Sequence, residues 1–170
     1  LVKRLRERRP ERRVILGGPG PTTVARPLVA AFPWIDLIVR GEGENTLVEL
    51  IEALPSGELR KVNGLSGRDA QGPFHTPDRE LVIDLDTLPA PRTDDVDLSA
   101  YSLYTSVTAR GCPYKCIFCE QGSKAFRARS PKDVVDELEI CRHEFGIREL
   151  DFFDSSFTIR KDRVIAICDE

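Results

Sequence analysis

The stretch Arg12-Arg13-Val14-Ile15-Leu16-Gly17-Gly18-Pro19-Gly20-Pro21-Thr22 decides the fold class. A short apolar run ending in glycine is the pattern of a buried parallel strand. The glycine-proline text after it predicts a turn where backbone can approach something closely. Residues 23–31 are compatible with a helix, and residues 35–39 read as a second buried strand. Arg40-Gly41-Glu42-Gly43-Glu44 then repeats the glycine turn. Asn45 is placed to cap the next helix, whose Leu47, Leu50, Ile51 and Leu54 keep a 3.6-residue period. Strand, glycine turn, helix, twice over, predicts an open α/β sheet with ligands beyond the C-terminal ends of its strands.

Downstream, residues 55–80 change character. Pro, Gly, Ser and Asp cluster around two short runs, 61–65 and 74–76, which predict a small hairpin with a loop of several residues. Residues 81–100 form an acidic, proline-bearing connector. The expected division is therefore 1–56 for a partial α/β domain, 57–100 for hairpin and linker, and 101–170 for a second unit. There, residues 104–108 are β-prone and lead into three cysteines. Ser130-Pro131-Lys132-Asp133 is a helix start, with a Ser cap, Pro at the first position and a carboxylate three residues after the cap. Val134, Val135, Leu138, Cys141 and Phe145 share one face, and Gly146 stops the helix. Residues 149–154 return as a strand. The sum is a βαβ unit with a parallel pair and a right-handed crossover.

The 170 residues suffice for one ordinary domain or parts of two, with the hydrophobic and charged fractions of a soluble globular chain. No apolar run approaches the roughly 18–20 residues of a membrane span, and no signal peptide opens the sequence. A net charge of −3 gives no general attraction to nucleic acid, and none is expected as a partner. Seven basic residues among the first thirteen could form a nucleic-acid or lipid arm; the favoured reading is the solvated face of a helix whose apolar side is Leu1, Val2 and Leu5. Methionine is absent, even at position 1, and both ends read as helix interiors. The expectation is a fragment, inactive alone.

Three of the five cysteines fall in the eight residues 112–119, within Arg110-Gly111-Cys112-Pro113-Tyr114-Lys115-Cys116-Ile117-Phe118-Cys119. Without a secretory signal they read as a metal or redox site in a reducing cytoplasm. Structural zinc needs four closed ligands, and neither His75, His143 nor another cysteine stands at knuckle spacing. A 4Fe–4S cube usually takes four cysteines, so three leave one iron open for a substrate or cofactor. A zinc-stapled structural or nucleic-acid-binding module stays as the alternative. Cys141 and Cys168 read as small hydrophobes on helix faces.

Cys112-x-x-x-Cys116-x-Phe118-Cys119 after a strand resembles the signature of the radical S-adenosylmethionine superfamily. The resemblance implies a partial (β/α) barrel, with Cys112, Cys116 and Cys119 ligating three irons and S-adenosylmethionine chelating the fourth. It implies an electron from a reducing partner such as flavodoxin or ferredoxin, and a 5′-deoxyadenosyl radical that takes hydrogen from a small-molecule substrate. Phe118 holds the aromatic position near the adenine, although a core aromatic reads the same way. Asp154 and Ser155, within Phe153-Asp154-Ser155-Ser156-Phe157-Thr158, stand where the family has a loop contacting the cofactor's amino group. On residues alone they could equally end a strand or cap a helix.

The first half is similar to the C-terminal half of the cobalamin-binding, Rossmann-like (flavodoxin-like) domains that precede this barrel in one branch. Val14 to Thr22, Asp36 to Glu44 and the Leu85-Asp-x-Leu-Pro89 connector carry that likeness. It implies that Gly17 and Gly18 lie against the nucleotide tail of cobalamin. The Asp-x-His-x-x-Gly loop that supplies a cobalt ligand in many such domains is absent here. The implied reaction is methyl transfer, with cyclisation or another rearrangement next. A methylthiotransferase-like enzyme acting on tRNA shares the cysteine motif, but not the first half.

Overall fold

The computed structural model describes residues 2–91, 103–119 and 124–170. The chain forms two compact units, Leu1–Val82 and Ile83–Glu170. The end of the acidic connector and the expected boundary at Tyr101 lie outside the described residues.

In the first unit, α1 (Val2–Arg8) precedes β1 (Ile15–Leu16), α2 (Pro19–Thr23), α3 (Ala25–Ala31), β2 (Leu37–Val39) and α4 (Glu44–Ala53), and a hairpin of β3 (Leu65–Asp69) and β4 (Gly72–His75) completes it. The sheet order is β1-β2-β3-β4, with β1 and β2 parallel and the other pairs antiparallel. Alternation along β2 explains the two cores. Leu37 and Val39 face Leu50, Leu59, Val62, Leu65 and Phe74, whereas Ile38 joins Ala25, Val29 and Ile35 beneath α3. Leu50 is fully buried and contributes about 1.5–3 kcal/mol by its removal from water. The sheet thus has a helix on each face, as an α/β fold requires.

Several details depart from the sequence expectation. The hairpin is part of the sheet, its first strand starts at Leu65, and only Ala70 and Gln71 separate its strands. Residues 59–61 form a 3-10 turn instead. Any side chain at position 67 would force the strands to shift, because a Cβ there would lie 2.5 Å from Leu37 Cδ2 and 2.8 Å from the Asp36 carbonyl. Helix α4 starts one residue before Asn45, with Gly43 as its cap, since the glycine turn already bends the chain. No residue of α1 is buried and Leu5 is half exposed. The helix is held by a bidentate Arg6–Asp36 pair at 3.0 and 3.1 Å.

The second unit contains β5 (Tyr104–Ser106), β6 (Ala109–Cys112), β7 (Lys124–Ala128), α5 (Pro131–Phe145), β8 (Leu150–Phe152) and α6 (Lys161–Asp169). Strands β5 and β8 are parallel, with α5 between them in sequence, which is the expected βαβ unit. Helix α5 begins as its text requires. Ser130 Oγ accepts the Asp133 N–H, Pro131 occupies the first turn, and Gly146 closes the helix in a left-handed conformation. Strands β6 and β7 form an antiparallel hairpin with a register irregularity between Arg110 and Cys112. That hairpin was not expected.

Candidate functional site

Two glycine turns lie at the C-terminal ends of β1 and β2, and Thr22 ties them. Its hydroxyl donates to the Gly18 carbonyl at 2.7 Å and accepts the Gly41 N–H at 3.0 Å. Gly18 has φ 95°, a conformation other residues rarely adopt, and no atom lies within 4 Å of where its Cβ would be. A side chain at Gly17 would meet only the Val39 carbonyl, at 3.8 Å. The two turns therefore leave open backbone at the strand ends.

Arg40 behaves otherwise. Its side chain turns inward, 6% exposed, and donates to the His75 ring Nε2 at 2.7 Å, to the Thr76 carbonyl at 2.5 Å and to the Asp78 carboxylate. His75 Nδ1 meets Ser66 Oγ at 2.6 Å. Arg40 thus staples β2 to the hairpin. Burial, and then the Arg40 charge, depress the His75 pKa.

The three-cysteine text sits on the hairpin that follows β5. Cys112 ends β6 and is buried, whereas Cys116 and Cys119 are exposed. The Cys119 N–H bonds to the Cys116 carbonyl at 3.0 Å, which turns the rim of the loop. None of the three is bridged. Among the described residues, no group of three or more His, Cys, Asp or Glu side chains is drawn together closely enough to hold a metal ion. The donor set fits an iron–sulfur cube in chemistry, since it offers three unbridged thiols on one short loop. Phe118 is 90% exposed, beside an Ile117 that is fully so. Cys141 is buried as expected, but Cys168 is exposed. His143 is exposed on α5.

Asp154, just past β8, reaches the base of this hairpin. One carboxylate oxygen accepts the Thr108 N–H at 2.6 Å and the Ala109 N–H at 3.0 Å, and the other accepts the Thr108 hydroxyl at 2.5 Å. A carboxylate has about four lone-pair sites, so one on the second oxygen remains. Ser155, the next residue, is exposed. The β5 and β8 ends are thus joined through Thr108 and Asp154.

Around this base lies a set of charged side chains that the sequence reading missed. Arg129 donates to the Asp133 and Glu137 carboxylates of α5, and the Tyr104 hydroxyl donates to Glu137 at 2.8 Å. Burial, then Glu137, push the Tyr104 phenol pKa up. Arg163 of α6 is 6% exposed. It shares the buried side of α6 with Ile167, one turn on. An arginine in the i, i+4 row of an apolar face was a readable signal.

No family model matches the chain. It is 37% identical over 163 residues to an uncharacterized methyltransferase of Pyrococcus horikoshii, covering 91% of this chain and 36% of that protein. It is 34% identical over 170 residues to the anaerobic magnesium-protoporphyrin IX monomethyl ester cyclase of Cereibacter sphaeroides, covering 92% of this chain and 28% of the cyclase. Among solved structures it is similar to the cobalamin-dependent S-adenosylmethionine radical enzyme OxsB with aqua-cobalamin and S-adenosylmethionine bound. The TM-score is 0.74 at 26% identity, over 91% of this chain and 23% of OxsB. The chain spans about a third of the length of the curated relatives it matches. Its α/β class is the one read from the sequence: a Rossmann-like segment, then the start of a (β/α) barrel.

Proposed function

We propose that this chain is the part of a radical S-adenosylmethionine enzyme that joins a cobalamin-binding-type segment to the cluster-binding start of the barrel. The observation that carries the reading is a hairpin bearing three unbridged cysteines, set at the C-terminal end of a parallel strand pair. Ligands of α/β folds bind at that end of the strands. Cys112, Cys116 and Cys119 would hold a 4Fe–4S cluster. When bound, such a cluster would supply the electron that S-adenosylmethionine cleavage needs.

The chain's own residues do the rest of the work on this side of the site. Asp154 fixes the strand ends and would offer its remaining lone pair to the ammonium group, with exposed Ser155 beside it. Phe118 offers an exposed aromatic face for the adenine. In the first unit, Gly17 and Gly18 leave backbone bare where a corrinoid's nucleotide tail would pass.

The whole enzyme would transfer a methyl group to, or cyclise, a small molecule. The named relatives support this by being a methyltransferase and a cyclase. Its electron would come from a partner such as flavodoxin or ferredoxin. Free thiols and an oxygen-sensitive cluster suit a reducing cytoplasm. The boundaries 1–56, 57–100 and 101–170 remain our proposed division by role.

The test is anaerobic reconstitution of the full-length protein with iron and sulfide. About four irons per chain are expected, with an electron paramagnetic resonance signal that changes when S-adenosylmethionine is added. Replacing Cys112, Cys116 and Cys119 together by alanine should abolish both. One zinc per chain and no iron would sink the reading.

A further inference from the structure

Arg163 lies outside the cysteine hairpin, yet it holds both of its stems. Its Nη2 donates to the Thr108 carbonyl at 2.9 Å, before β6, and its Nε to the Arg129 carbonyl at 3.1 Å, after β7. Between them the Arg129 N–H bonds to that same Thr108 carbonyl at 3.0 Å. Asp154 grips the neighbouring Thr108 and Ala109 amides. The base of the hairpin is therefore bracketed by a buried cation and a carboxylate, on elements 46 and 55 residues downstream of Thr108.

We propose that Arg163 is a positioning residue for the cysteine hairpin, fixing the separation of the two stems between which Cys112, Cys116 and Cys119 are presented. This rests on the cluster reading above. Three features favour it over simple packing. A buried guanidinium is a costly way to join two neutral carbonyls. Its planar fork sets two acceptors at a fixed spacing, which the single point of a lysine cannot do. Finally, Nη1 is buried and has no hydrogen-bond partner among the described residues, a deficit that native structures accept rarely. Burial also lowers the Arg163 pKa, so the fold keeps this charge against its own desolvation.

The experiment compares wild-type and Arg163→Gln full-length protein. Hydrogen exchange at the Thr108, Ala109 and Arg129 amides is read before reconstitution. Iron content and the paramagnetic signal, with and without S-adenosylmethionine, are read after it. The variant is expected to keep its far-ultraviolet circular dichroism, to exchange about tenfold faster at those amides, to lose half or more of its iron, and to respond differently to S-adenosylmethionine. Should Arg163→Gln not fold, Arg163→Lys is read instead, and fast exchange with a weakened signal is again expected. A folded variant with wild-type exchange and a wild-type signal overturns the proposal. So does unfolding of both variants, which assigns Arg163 to stability alone. If wild-type protein takes up no iron, the cluster reading fails, while the exchange measurement still decides the clamp.

Discussion

The Asp154 carboxylate accepts the main-chain N–H of Thr108 at 2.6 Å, across 46 residues of chain. This bond, with the two others that Asp154 makes to residues 108 and 109, is how the end of one parallel strand holds the end of its neighbour. Hydrogen bonds to a charged group contribute about 1.5–3 kcal/mol each, and bonds sharing one acceptor do not add fully. Asp154→Ala is expected to lower unfolding free energy by about 2–4 kcal/mol. Asp154→Asn keeps one carbonyl oxygen for the amides and should lose about half as much. Urea unfolding followed by circular dichroism measures both; a loss below about 0.5 kcal/mol for the alanine variant would contradict the bracket.

Acid should weaken the first unit through His75. Neutral His75 can accept from Arg40 at Nε2 while donating from Nδ1 to Ser66, but the protonated ring would turn an N–H toward the Arg40 guanidinium. Its folded pKa therefore lies below the unfolded value of about 6.5. The stability linked to it is present above that value and is lost as pH falls through the folded pKa. Urea midpoints should drop between pH 7 and pH 5, and His75→Phe should flatten that slope while lowering the pH 7 midpoint. An unchanged slope in the variant would refute the assignment.

Gly67→Ala tests the packing of the first sheet. The added methyl would lie 2.5 Å from Leu37 Cδ2 and 2.8 Å from a main-chain oxygen, so β2 and β3 must separate. Overpacking of this kind costs about 1–3 kcal/mol. A thermal midpoint equal to that of wild type would show that the strands part freely.

Ser130→Ala removes the acceptor for the Asp133 N–H at the start of α5. The expected loss is about 1 kcal/mol. Ser130→Asp should recover most of it, and denaturant midpoints of the three proteins decide.

Local chemistry made much of this fold readable. Ser130, Pro131 and Gly146 each act within one turn of α5, so their text carried the helix ends unaided. The parallel β5–β8 pair followed from strand, helix, strand. The β6–β7 hairpin did not, because Ala109-Arg-Gly-Cys112 and Lys124-Ala-Phe-Arg-Ala128 show no strand-like alternation. Its pairing depends on closure at Thr108 and Arg129. Arg40 was read with the ligand-facing turn and instead faces inward, since its partners His75, Thr76 and Asp78 come from a hairpin more than thirty residues later. The cysteines, Gly18 and Ser155 were legible as candidates. The side chains that hold their loops were not read: Thr108 and Arg129 act on groups distant in sequence, and Arg163 left only its place in the apolar row of α6 as a signal.

The wide sequence gap between the thiols' hairpin and its brackets has a consequence for biosynthesis. At about 5–20 residues per second, Arg163 leaves the ribosome roughly 3–11 s after Thr108. During that interval a nascent chain displays three free thiols on an unanchored ribbon. Premature oxidation or capture by the wrong metal would happen then, before the second half of the bracket exists.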